Sequence, residues 1–267
     1  MAAFTAKDVQ DLRNATGAGM LDAKRALTEA NGNREEAVKW LRERGLGKAA
    51  ERAGRESEEG TVAVSSDTNQ DAIALVQLRS ETDFGAKSPD FVNLANDLAA
   101  LVASEGEDAV DQRKAAIEDL NISLKENVQL GEVVRFQAAP GNVLGSYLHV
   151  QNDRGVNGVI VELKDATPEL AHDIAVHIAF GRPKYLRRED VPAEEVEAER
   201  AALEAESRRE GKPDAAIPKI TEGKLSGWFK RVPGGVLLEQ PYARDDKHTV
   251  AETLGKAQVV RFAQVVI

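Results

Sequence analysis

Thr61-Val-Ala-Val64 and Asp71-Ala-Ile-Ala-Leu-Val-Gln-Leu78 are two β-rich runs on either side of a polar stretch, Ser65 to Gln70. The arrangement returns as Leu144-Gly-Ser-Tyr-Leu-His-Val150 and Gly158-Val-Ile-Val-Glu-Leu163 around Gln151 to Asn157. Apolar, β-branched runs bounded by Asn, Asp, Ser and Gly read as hairpins. A helix follows each hairpin. One starts Ser88-Pro-Asp90 and carries Phe91, Leu94, Ala95, Leu98, Leu101 and Val102; the other starts Thr167-Pro-Glu169 and carries Leu170, Ala171, Ile174, Ala175 and Ile178. Both starts combine a hydroxyl residue at the N-cap, a proline at the first helical position and an acid beside the positive helix end. Val133-Val-Arg-Phe136 recurs as Val259-Val-Arg-Phe262, so each half is expected to close on a strand carrying the same four residues. The expected class is α+β, with two duplicated subdomains at 55–139 and 140–267, each a small antiparallel sheet covered by helices.

Residues 1–54 read as a separate module of three short helices. Thr5 reads as an N-cap with Asp8 three residues on, ahead of Val9 and Leu12. Thr16-Gly-Ala-Gly19 breaks the pattern, and Met20, Ala23 and Leu27 resume it at helical spacing. Asn33 with Glu36 resembles a capping box for a third helix carrying Val38 and Leu41, with Gly45 and Gly47 expected to end it. A linker, Lys48 to Gly60, follows. The second half contains an insertion at about 191–232. Pro192 to Gly211 is a charge-laced helix with a thin apolar stripe of Val196 and Leu203. Ala215 to Val232 returns with Ile217, Ile220, Leu225, Trp228 and Phe229, which predicts a helical hairpin.

The two copies also differ between hairpin and helix. The first spends nine residues there, Arg79 to Lys87, where the second needs three, Lys164 to Ala166. The surplus includes Ser80-Glu-Thr-Asp-Phe-Gly-Ala86. A loop that need not be long, and that carries Phe84 beside Asp83, is a candidate for binding, because aromatic residues on loops commonly anchor partners. The structural alternative is that Phe84 tucks back onto its own sheet and Asp83 caps a turn.

Composition narrows the function. Hydrophobic content of 42% with 30% charge suits a globular chain, and aromatics at 4% leave the cores to Val, Leu, Ile and Ala. No apolar run approaches the roughly 20 residues of a membrane span. Met1 to Gln10 lacks the basic start and apolar run of a secretory signal. Cysteine is absent, which excludes disulfides and thiolate metal sites and fits a cytoplasmic location. A formal charge of −10 argues against a direct nucleic-acid partner. Gly45-Leu-Gly-Lys48 is no phosphate loop: Ala49 stands where Ser or Thr is needed, and a helix precedes it, so it reads as a helix end. His172 and His177, five apart on a helix, do not share a face and are not a zinc pair; His149 lies on a strand and His248 stands apart. No serine sits in a nucleophile elbow. No catalytic residues, cofactor or metal are expected, and the chain reads as a binding protein rather than an enzyme.

Three motifs carry a family resemblance that spans essentially the whole chain. Thr16-Gly-Ala-Gly-Met-Leu-Asp-Ala-Lys-Arg-Ala-Leu27 resembles the N-terminal motif of the elongation factor Ts family, Glu81-Thr-Asp-Phe84 its core-loop motif and Gly145-Ser-Tyr-Leu-His149 a third. In that family the N-terminal module is similar to a ubiquitin-associated domain. The resemblance implies a guanine-nucleotide exchange factor that binds elongation factor Tu, displaces Mg²⁺ and promotes GDP release during translation elongation, as a homodimer or in a 1:1 heterodimer. It assigns Mg²⁺ dislocation to Thr82, Asp83, Phe84 and Gly85, with Phe84 as the apolar wedge. Met20 and Leu21 would dock the N-terminal module, and His149 would press near the partner's phosphate loop. The sequence departs from the family at Gly85, commonly valine, and glycine there predicts a more mobile loop. The other reading is a protein-binding adaptor built around a ubiquitin-associated-like module, which would have no need of Asp83 and Phe84.

Overall fold

The structure, a computed structural model, describes residues 4–267; residues 1–3, part of the expected N-terminal module and of the Met1 to Gln10 reading, lie outside it. The chain is α+β. It opens with α1 (Ala6–Thr16), α2 (Met20–Glu29) and α3 (Arg34–Arg52). Thr5 and Asp8 form a reciprocal capping box, whereas Asn33 accepts from the N–H groups of Glu35 and Glu36. Val9, Leu12, Ala23, Ala26, Leu27, Ala30 and Ala37 make the small core between these helices. The third helix does not stop at the glycines. It continues through Gly45 and Gly47 to Arg52, and Gly45 sits where α3 crosses α6: a Cβ there would lie 2.8 Å from Ile122. The glycine removes a side chain at a close helix crossing and does not serve as a C-cap.

The first sheet follows, from β1 (Glu59–Ser66) and β2 (Ala72–Ser80), with α4 (Asp83–Ala86), α5 (Pro89–Glu105) and α6 (Lys114–Leu124) leading to β3 (Gln129–Gln137). The second is β4 (Asn142–Gln151) and β5 (Arg154–Lys164), then α7 (Pro168–Gly181). Its hairpin turns tightly on Asn152 and Asp153, both at positive φ, the pattern of a type I′ turn. The inserted hairpin is α8 (Ala193–Arg209) and α9 (Ile217–Phe229). After it come β6 (Pro241–Tyr242), β7 (Asp245–Thr249), α10 (Val250–Leu254) and β8 (Gln258–Val266). The two sheets have the same antiparallel layout, β1-β2-β3 and β4-β5-β8, each with the second hairpin strand in the middle. Of the two expected caps, Thr167 accepts from the Leu170 N–H, whereas Ser88 makes no capping hydrogen bond.

Strand alternation decides how the halves meet. On β2, Ala74, Val76 and Leu78 face α5 with Phe91, Leu98 and Val102, while Ile73 and Leu75 face the other way. On β5, Val159, Val161 and Leu163 face α7, while Ile160 points back. Val62, Ile73, Leu75 and Phe136 of one sheet meet Ile160 and Val265 of the other. The result is helix, sheet, sheet, helix. Central strands covered on both faces explain the near-continuous apolar runs in sequence.

The repeated Val-Val-Arg-Phe is not structurally equivalent in the two halves. In the first sheet Phe136 pairs with Ile73 and points between the sheets; in the second Phe262 pairs with Val161 and packs against the α7 side. The closing strands β3 and β8 each have a bulge at the same place, opposite Gln77 in one sheet and between Glu162 and Leu163 in the other. Aligned on the bulges, Val259 to Phe262 corresponds to Leu130 to Val133, three residues earlier than the identical letters. Gln77 and Glu162 are both buried. Gln77 accepts from the Glu132 N–H at 3.3 Å, and Glu162 accepts from Arg261 at 2.7 Å. The duplication is real, but it lives in register and burial.

The helical hairpin packs its thin stripe, Val196 and Leu203, against Leu225, Trp228 and Phe229, with Val191 and Val236 at its base. Lys224–Glu206 and Arg200–Glu222 ion pairs bridge its helices. Buried Gln240 anchors the base, donating to the Gly181 carbonyl at 2.8 Å while its side-chain oxygen meets His177 Nε2 at 3.0 Å.

Candidate functional site

The segment after β2 forms one turn of helix, and that turn decides what is shown to solvent. Ala86 is fully buried in the first core, and Phe84, two residues earlier and so on the opposite side of the turn, is 82% exposed. Phe84 does not tuck back onto its sheet. Asp83 is not the cap. Thr82 is: its extended backbone (φ −127°, ψ 155°) places its hydroxyl to accept the Gly85 N–H at 3.1 Å. Asp83 instead pairs with Lys87, whose ammonium also lies 5.4 Å from the Phe84 ring centre. The Lys87 hydrogen bond holds the Asp83 carboxyl below its usual range, and the charge of Arg154 adds to this. Asp83 is therefore an anion at neutral pH.

Arg154 belongs to the tip of the second sheet's hairpin. It reaches across to the first sheet, donating to the Gly60 carbonyl at 2.6 Å and to Glu59 at 2.7 Å. His149 lies on that same hairpin. The β4–β5 register shifts just after it, with Val156 skipped, and bulges of this kind re-aim neighbouring side chains. The His149 ring is exposed and stacks on Tyr147 at 6.5 Å between centroids. Gly145, from the same motif, has a packing role: a Cβ there would meet the Ala171 backbone of α7.

Met20 and Leu21 open α2. They are 46% and 83% exposed, so Met20, spaced as a core residue, is not part of the helical module's core. Val38, also spaced as a core residue, is partly exposed and lines a cleft of about 800 Å³ between the N-terminal helices and α5–α6, whose walls include Thr16, Gly19, Leu94 and Leu120. His172 hydrogen-bonds the Ser146 carbonyl, whereas His177 is buried, so the two histidines occupy different environments as their spacing predicts.

Sequence reading missed two contributors, Arg154 and the Glu126–Asn127 pair just before β3. The second follows a helix stop at Lys125, whose positive φ ends α6; nothing in the local sequence says what that stop is for, since its partners lie more than forty residues away.

Comparison with known proteins gives a consistent result. A family profile described as Elongation factor TS matches residues 81–267. Relatives include the elongation factor Ts of Streptomyces griseus, 44% identical over 99% of both chains, and that of Streptomyces coelicolor, 43% identical over 99% of both. That of Clavibacter michiganensis is 43% identical over 96% of this chain and 95% of its own. From the duplicated sheets, the exposed loop aromatic and similarity along nearly the full length, this chain belongs to the elongation factor Ts family of translation elongation factors.

Proposed function

We propose that the chain is the guanine-nucleotide exchange factor for elongation factor Tu, acting in the cytoplasm through a protein–protein complex and without a cofactor. GDP is held by its phosphates and Mg²⁺. A factor that releases it must bind the nucleotide-free GTPase more tightly than the GDP form, and linkage makes the effect reciprocal. Phe84 is the wedge and Asp83 the anion that enter the GTPase domain and displace the Mg²⁺ ligands, with Thr82 and Gly85 shaping the turn that presents them. Met20 and Leu21 supply docking affinity, and His149 presses from the second sheet. The observation that carries this reading is Phe84, a large aromatic held almost wholly in water by a hydrogen-bonded turn anchored on buried Gly85 and Ala86, in a chain of this family. The test is the release of fluorescent GDP from purified elongation factor Tu in excess unlabelled GDP. Acceleration at substoichiometric amounts of this chain supports exchange. No acceleration with active Tu removes it and favours an adaptor role.

A further inference from the structure

From the contacts of the Thr82–Gly85 turn we infer that Glu126 is a positioning residue for the exchange loop: its carboxylate clamps Thr82 and so sets where Phe84 stands. The inference rests on the exchange reading for its functional part.

Both carboxylate oxygens are used. Glu126 Oε1 accepts the Thr82 hydroxyl at 2.6 Å, and Oε2 accepts the Thr82 N–H at 3.1 Å. The same hydroxyl accepts the Gly85 N–H. A relay runs from the Gly85 amide through Thr82 to an anionic acceptor. Donating to a charged group polarises the hydroxyl and makes it a better acceptor, so the Glu126 charge strengthens the cap it does not itself form. The Thr82 carbonyl is fixed from the other side by the buried Ser80 hydroxyl at 3.0 Å.

Gly85 belongs to the same arrangement. A Cβ at position 85 would lie 2.5 Å from Glu126 Oε2, so the carboxylate occupies the volume a side chain would need. The expected loosening by glycine is thus met by a clamp from elsewhere in the chain. The clamp is itself anchored. The adjacent Asn127 donates its N–H to Glu81 at 2.7 Å and its side-chain amide to the Arg55 carbonyl at 2.7 Å, and its own carbonyl accepts from Ser57. Residues 126–127 therefore join the loop to the segment that leaves the N-terminal helices. Thr82 and Glu126 are 44 residues apart, so only the folded core brings them together.

The test uses the full chain with Glu126→Ala and Glu126→Gln, each also in a Phe84→Ala background, read by amide hydrogen exchange and by GDP release from elongation factor Tu. Glutamine keeps one acceptor and is the fallback if alanine perturbs folding. We expect protection of the Gly85, Ala86 and Lys87 amides to fall about tenfold in Glu126→Ala, and less in Glu126→Gln, with β2 and β5 unchanged. The maximal GDP release rate should fall by a similar factor in the wild-type background and not fall further when Phe84 is already alanine. Unchanged loop protection overturns the clamp. An equal additional loss in the Phe84→Ala background overturns the claim that Glu126 acts through Phe84. If the unmodified chain fails to release GDP, the exchange reading falls, and the hydrogen-exchange arm, which needs no partner, still decides whether Glu126 holds the loop.

Discussion

Replacing Phe84 by alanine should separate function from stability, because the side chain stands almost wholly in water. Phe84 is 82% exposed, so truncation removes almost no buried apolar surface from the free protein, and unfolding free energy should change by less than about 0.5 kcal/mol. Insertion into a partner is another matter. An aromatic side chain covers roughly 150–250 Å² on full burial, so about 160 Å² of Phe84 remains to be removed from water on binding. At ~25 cal/mol per Å² that is about 4 kcal/mol, of which alanine retains about a quarter through its Cβ. The remaining ~3 kcal/mol corresponds to a loss on the order of 100-fold in the rate of GDP release, if the wedge is engaged when GDP leaves. Stopped-flow release of fluorescent GDP from elongation factor Tu measures the rate, and chemical denaturation of the free chain measures stability. Phe84→Leu, which keeps most of the apolar area, should fall between the two. Wild-type release by a fully folded Phe84→Ala variant would show that Phe84 is not the wedge. A large loss of stability would show that it is not a free surface residue.

Three further outcomes follow from the structure. Leu21→Asp, at a position 83% exposed, should leave stability within about 0.5 kcal/mol while raising the concentration needed for half-maximal exchange at least tenfold, with the maximal rate retained at saturation; a titration of exchange against factor concentration separates the two. Gly145→Ala should destabilise the second subdomain by about 1–3 kcal/mol, because the new methyl would meet the backbone of Ala171, and a lowered thermal midpoint would report it. Burial pushes the His177 imidazole below its ordinary 6.5, opposed by its contact with Gln240, and Nδ1 accepts the Ala243 N–H. The unfolded chain thus binds more protons, so the contribution is full above about pH 6.5 and is lost as pH falls below it toward the lowered folded value. Denaturation midpoints at pH 7.5 and 5.5 should differ for the unmodified chain, and the difference should shrink in His177→Gln.

Much of the architecture was legible in the sequence because it rests on local rules. Apolar runs around polar turns gave hairpins, hydroxyl–proline–acid starts gave helices, and the unequal connections singled out Arg79 to Lys87. What that loop shows was open, since exposure of Phe84 depends on Ala86 being drawn into a core built from β2 and α5. Met20 and Leu27 share helical spacing, yet one is half-exposed and the other buried. Spacing defines a face and does not say how wide the covered part of it is.

The sequence alone determined the class, the duplication, the inserted hairpin and the family, because period, caps and motifs are properties of neighbouring residues. Tertiary structure decided the rest. Val133 and Val259 both face the helices, yet Phe136 and Phe262 of the same two tetrapeptides point to opposite sides of their sheets, because strand facing follows register, and register is shifted by a bulge inside the second copy that identical letters do not reveal. Gly45 lies inside a helix, at the point where another helix crosses it. Glu126 grips Thr82 because the fold closes a 44-residue separation to a hydrogen bond, and no local pattern encodes a contact between residues that only the packed core makes neighbours.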